Sequence, residues 1–254
     1  MAHRLVSGNS MVTAYPIDCI PACHHLGTLQ LTAQDKAPVD LLKVHLMTHG
    51  GYIERHAICT SPLYPGMTSL SYVVSDYAAI KTLRKAGATI AAIGSGTLLC
   101  CPERQTLLLQ RRAAFIDTYP NRLAAFGGHF TPDRHGETLG PLMDTLIAEI
   151  QEESGIDLQA LGLIAPEYLP PLYMIVEPDT GAIQFTPIAF ALTPAQMDQA
   201  TGSEEGALET FHLKADIDLL TDEQQWSQMG YACFRTWQAS GYAVQKNWTG
   251  PRMG

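Results

Sequence analysis

A chain of 254 residues that is 46% hydrophobic and 16% charged carries enough apolar side chain for a self-sufficient core, which excludes disorder over most of its length. Its 16 Lys and Arg against 25 Asp and Glu give a net charge of -9, which excludes a dedicated nucleic-acid or anionic-membrane binder. No apolar run approaches the roughly 18 residues of a membrane span, and the opening residues lack the apolar centre of a secretion signal.

Residues 1–88 hold six of the nine histidines and three of the six cysteines, with Gly/Pro-rich stretches such as 60–66. Two helices are expected there. One covers 38–48, with Val39, Leu41, Leu42, Val44 and Leu46 in an unclear period. The other covers 75–85, capped by Ser75 or Asp76 and stopped by Gly87. Cys19, Cys23, His24 and His25, with His45, His49, His56 or Cys59, are loosely spaced for zinc, and buried thiols with surface histidines are the favoured reading. Six cysteines are too few for a disulfide scaffold, so the reducing cytosol, and hence a cytoplasmic protein, is expected.

From residue 89 the texture turns to alternating strands and helices, which sets a boundary between an N-terminal extension, 1–88, and a domain, 89–254. Gly94-Ser95-Gly96 lacks the rest of a phosphate loop and reads as a turn. The runs 97–101 and 106–110 form a hairpin. A helix over 141–154 is stopped by Gly155, and a second hairpin joins 171–176 to 182–192. Thr193-Pro194 opens a further helix. Thr221 and Gln224 make a capping-box pattern before a last one, whose apolar stripe is Trp226, Met229, Cys233, Phe234 and Trp237. The fold class is α+β, a mixed sheet with helices packed on it.

The chemistry concentrates in Glu149-Ile150-Gln151-Glu152-Glu153-Ser154-Gly155-Ile156. On a helix Glu149, Glu152 and Glu153 share one face, and near a C-terminus they also oppose the macrodipole. A solvated acidic helix end is the plain alternative. A cation among the three would relieve the repulsion, and crowded hard oxygens suit Mg²⁺ or Mn²⁺ over zinc.

This segment resembles the Nudix hydrolases, matching the end of their box, E-U-x-E-E-x-G-U (U aliphatic), at every fixed position. Gly127-Gly128 is similar to the glycine pair that opens the box, Glu137 stands for its first glutamate, and the preceding strand 107–112 also looks like the family. The resemblance covers roughly residues 90–245 and implies an α/β/α sandwich. Three departures are visible: the stretch from Gly128 to Ile156 is longer than the family box, Ala148 stands where the family has arginine, and Phe126 where proline is common. Arg111-Arg112-Ala113 and Gly128-His129 are similar to the isopentenyl-diphosphate isomerase branch, but Gly127 stands where that branch has its cysteine.

What the resemblance implies is Mg²⁺- or Mn²⁺-dependent cleavage of a diphosphate linkage in a nucleoside diphosphate derivative, a small-molecule substrate. Glu149, Glu152 and Glu153 would be the catalytic and metal-binding carboxylates, and Glu205 a further metal ligand, with Glu204 and Glu209 as rivals for that place. Arg111 or Arg112, Gly127, Gly128 and His129 would contact substrate; on a strand at most one of the two arginines faces the site. A nucleotide-binding sensor that has lost turnover is the competing reading, favoured by Ala148 and the lengthened box. For residues 1–88 three roles stand open: a cover over the pocket, a homodimer interface, or a docking segment.

Overall fold

The computed structural model describes all residues except 1, 2, 8, 9, 49–54, 65, 117, 133–139, 166, 167, 178–180, 252 and 254, and backbone alone at 3–7, 10 and 11. In chain order the strands are β1 (His3–Ser7), β2 (Ser10–Ile17), β3 (Ala22–Thr28), β4 (Arg55–Cys59), β5 (Ser69–Asp76), β6 (Ile93–Cys101), β7 (Thr106–Arg112), β8 (Leu123–Ala124), β9 (Phe126–His129), β10 (Leu172–Val176), β11 (Ile183–Pro187), β12 (Ala189–Ala191) and β13 (Gly206–His212). The helices are α1 (Ala33–Thr48), α2 (Tyr77–Lys85), α3 (Pro141–Ser154), α4 (Pro194–Met197), α5 (Ile217–Thr221) and α6 (Gln228–Ala239). The fold is α+β, and no helix among the described residues is long and apolar enough to cross a membrane.

Strand β6 organises a ten-stranded mixed sheet. Its first half pairs with β11 in parallel and β9 in antiparallel register; its second half pairs with β12 in parallel and β7 in antiparallel. Leu98 and Cys100 enter the core beneath α6, while Leu99 and Cys101 enter the core beneath α3. Burial on both faces is why this strand reads as a continuous apolar run rather than an alternation. Gly94-Ser95-Gly96, expected as a turn, lies inside β6. Its glycines mark close approach: a Cβ on Gly94 would stand 2.8 Å from the carbonyl oxygen of Gly128.

Three further local expectations are corrected. Residues 182–192 are two strands, because Pro187 has no N–H with which to continue the ladder. The Thr221–Gln224 capping box does not form. Thr221 donates back to Ile217 within α5, Asp222 caps a short 3-10 turn over Glu223–Gln225, and Ser227 accepts from Gly230 N–H to cap α6. Helix α1 begins at Ala33 and carries Pro38 inside it. Val39, Leu42 and Leu46 pack toward α2, while Leu41, Val44 and Met47 are exposed, so two apolar faces blur the period.

The first 88 residues are woven into the rest. β2 pairs with β10 from Ile17↔Leu172 to Thr13↔Val176. β3, β5 and β4 form a separate three-stranded sheet. Its Leu70, Tyr72 and Val74 alternate into a core shared with Ile93, Phe130, Leu142 and Phe185. Backbone bonds from Ala57 N–H to Phe130 and from Cys59 N–H to Ala91 fasten it to the stretch around β6. A fragment covering 89–254 would expose this shared core and leave β10 as an unpaired edge. It is therefore expected to lose the single cooperative thermal transition of the full chain, as followed by circular dichroism.

Candidate active site

Helix α3 starts on Pro141 and ends where Gly155, at φ 70°, adopts the left-handed conformation and returns its N–H to Gln151. Leu146 and Ile150 face the core with Phe126, which places Phe126 as the apolar floor under the helix. Glu149 and Glu153, one turn apart, face β9. The N–H of Gly127 donates to Glu153 Oε2 at 2.8 Å, and a Cβ on Gly128 would come within 2.6 Å of the Glu149 carboxylate carbon. Gly127 has φ 133°, and a Cβ there would stand 2.2 Å from the carbonyl oxygen of Ser95. Gly127 needs glycine for backbone reasons, whereas at Gly128 an added Cβ would meet only the movable end of the Glu149 side chain.

Glu153 is 4% exposed, and burial holds its pKa well above the usual carboxylate range. The Gly127 N–H opposes that shift, the charges of Glu149 and Glu205 add to it, and Arg112 counters it. Glu149, Glu153, Glu205 and Arg112 thus share one electrostatic neighbourhood with the glycine pair. Glu205 sits in the turn before β13, its N–H on Ser203 Oγ and its carbonyl accepting from Ala113.

The other expected residues are placed apart from that neighbourhood or at its rim. Arg111 gives both arms of its guanidinium to Glu209, at 2.6 and 2.8 Å, and a third N–H to the Asn121 carbonyl. Arg112 donates to the carbonyl and hydroxyl of Thr118. Glu152 and Glu204 are exposed, Ala148 is half-buried, and Glu137 lies outside the described residues. Among the described residues no group of three His, Cys, Asp or Glu side chains is arranged to hold a metal ion; the carboxylates are coupled electrostatically without forming a closed shell.

His129 brings an unforeseen partner. Its ring packs on that of His56 with centroids 4.7 Å apart, and His56 meets Tyr77 edge-on. His56 was readable only as a loosely spaced zinc candidate, because nothing local relates β4 to β9. Its Nδ1 has no hydrogen-bond partner among the described residues. Burial pushes its pKa down to about 4, Asp76 resists, and Arg84 reinforces the fall. Desolvation of the ring and then the like charges of His56, Arg84 and Arg112 also lower His129, although the residue as a whole is exposed to solvent. Of the remaining zinc candidates, Cys23 is pushed up to about 12 by burial and by Cys59, Cys59 is raised by burial, Cys19 is exposed, and His49 lies outside the described residues. Neutral thiols are poor metal ligands.

The chain is similar to solved MutT and Nudix proteins. It is 17% identical to a MutT protein from Methanosarcina mazei Go1, over 59% of this chain and 95% of that one, with a TM-score of 0.38. It is 17% identical to a NUDIX hydrolase from Nitrosomonas europaea, over 65% of this chain and 99% of that one, with a TM-score of 0.38. A bifunctional NMN adenylyltransferase/ADP ribose pyrophosphatase from Francisella tularensis, complexed with AMP and a manganese ion, is 16% identical over 63% of this chain, with a TM-score of 0.44, and the chain spans 45% of its length. No family model and no curated protein matches the sequence.

Two outcomes are expected from this geometry. Gly127→Ala meets backbone at a strained φ and should cost about 3 kcal/mol in urea unfolding. Gly128→Ala meets only the movable end of Glu149 and should cost under about 1 kcal/mol. For His56, the folded state binds its proton at about pH 4 and the unfolded chain near 6.5, so its share of stability is complete above 6.5 and drains as pH falls toward 4. Between pH 6.5 and 5 that share is about 2 kcal/mol, so the stability of His56→Phe, which cannot protonate, should fall less than the wild type's over this interval.

Proposed function

We propose that this protein is a divergent Nudix-type hydrolase that uses Mg²⁺ or Mn²⁺ to cleave a diphosphate linkage in a nucleoside diphosphate derivative. The observation that carries the reading is the buried Glu153, held by the Gly127 N–H and coupled to Glu149 and Glu205. Burial beside two other carboxylates makes the charged form of Glu153 costly, and a bound cation would offset that cost. The donor chemistry fits a hard divalent ion, since every candidate ligand is a carboxylate oxygen. Glu149, Glu152, Glu153 and Glu205 are the residues proposed to hold it. A bound divalent cation would neutralise charge on phosphoryl oxygens and acidify a water.

The chain's own residues supply the rest. The Gly127–Gly128 backbone lets the carboxylates of α3 approach β9, and Arg112, whose charge acts on Glu153, would bind a phosphoryl oxygen. His129, at the end of β9 against His56, would offer a ring N–H to the substrate. Arg111 is assigned to the Glu209 ion pair instead of the substrate. Hydrolysis adds the elements of water across the P–O–P bridge and leaves two phosphorylated products. Six free cysteines accord with a cytoplasmic protein. A homodimer remains part of the proposal, with residues 1–88 as its interface, a cover over the pocket or a docking segment.

The reading is tested by turnover of a panel of nucleoside diphosphate derivatives with Mg²⁺ or Mn²⁺. Glu152→Gln and Glu153→Gln are each expected to lose at least about a hundredfold in rate. Nucleotide binding without turnover in the wild type would instead establish the sensor reading, which Ala148 favours. Turnover unaffected by either substitution would remove the carboxylates from the mechanism.

A further inference from the structure

Beside the acidic site lies a set of basic side chains drawn from three elements. Ile58 of β4 bridges Ala92, just ahead of β6, in antiparallel register, which carries His56 toward Gly94. Gly94 in turn pairs with His129, so the rings of His56 and His129 meet with centroids 4.7 Å apart. Tyr77, edge-on to His56, opens α2, and Arg84 follows seven residues later, two turns along the same helix face. Arg84 reaches back to the stretch before β6, its Nη2 donating to the carbonyl of Ile90 at 2.8 Å. The charges of Arg84 and His56 act on His129, and that of Arg84 acts on His56.

His56 Nδ1 and Arg84 Nε are both buried, and neither has a hydrogen-bond partner among the described residues. His56 is 6% exposed, whereas His129 is exposed, so the set opens to solvent at His129. The neighbouring carboxylates do not satisfy these nitrogens. Asp76 is committed to Lys43 at 2.7 Å and to the N–H of Ala79. Arg84 makes no ion pair among the described residues, although the charge of Glu177 acts on it. A guanidinium N–H and an imidazole nitrogen buried without partners are costly to folding, and both can donate to the oxygens of an anion. We propose that His56, Arg84 and His129 form a phosphate-binding subsite beside the glycine pair, two of its three side chains coming from residues 1–88. The oxygens of a phosphoryl group point in several directions, which suits donors arriving from three elements better than a planar carboxylate does.

The test is a titration of the full chain with inorganic phosphate at neutral pH without a divalent cation, followed by the imidazole nitrogen resonances. Those of His56 and His129 are expected to move, and acetate is expected to leave them in place. Arg84→Gln and His56→Phe should each weaken phosphate binding about 10- to 100-fold. Arg104→Gln, which removes a surface cation paired with Asp198, should bind as the wild type does. Resonances that stay still, or binding that survives in both variants, would overturn the inference. An equal loss in Arg104→Gln would also overturn it, by showing attraction to net charge alone, and acetate shifting the resonances as far would remove the phosphoryl assignment. The wild-type titration decides even if a variant fails to fold. A nucleoside monophosphate that binds more tightly than inorganic phosphate would assign the subsite to a nucleotide, and equal affinity would assign it to free phosphate. Because no metal is added, failure here leaves the metal-dependent reading standing.

Discussion

The close approach of β9 to α3 is the constraint on which the remaining structure turns. Backbone N–H at Gly127 reaches Glu153, and the missing side chain at Gly128 leaves room for Glu149. Neither contact is possible unless β9 pairs tightly with β6, where Gly94 and Gly96 face Gly128 and Gly127 at the closest points. The helix is pressed into place by Leu146 and Ile150 on Phe126, so apolar burial offsets the unfavourable burial of a carboxylate.

This arrangement explains the division of labour along β6 and β7. β6 is shared end to end by four partners, and the cores beneath α6 and α3 keep both of its faces dry. β7 then presents alternate residues to different environments: Arg111 to the Glu209 ion pair, Arg112 to the neighbourhood of Glu153, and the buried Gln110 to the place that Gly206 leaves open. Two adjacent arginines of identical chemistry acquire different roles through strand alternation alone.

The N-terminal segment contributes more than length. Its β2 extends the large sheet, its small sheet closes the core around Phe130, and His56 lies against His129 beside the glycine pair. The two packed imidazoles present hydrogen-bonding groups and flat surfaces at the rim of an acidic site, and burial keeps His56 from adding positive charge to it.

What the sequence determined by itself was local. Helix α3 could be read from Pro141 to Gly155, the β6–β7 hairpin from its apolar runs, the Asp76 cap from its spacing, and the common face of Glu149 and Glu153 from their helical period, because each depends on residues within a few positions of one another. The glycines of β6 were misread as a turn, and Thr221 as a cap, because glycine and threonine serve both purposes and only their neighbours in space select one. Tertiary structure alone decided which carboxylate is buried, that the charge of Glu205 acts on Glu153 while Glu209 pairs with Arg111, and that His56 meets His129. Those facts depend on desolvation and on contacts between distant segments. Chain order carries no direct record of either, since both are set by how the sheet brings its strands together.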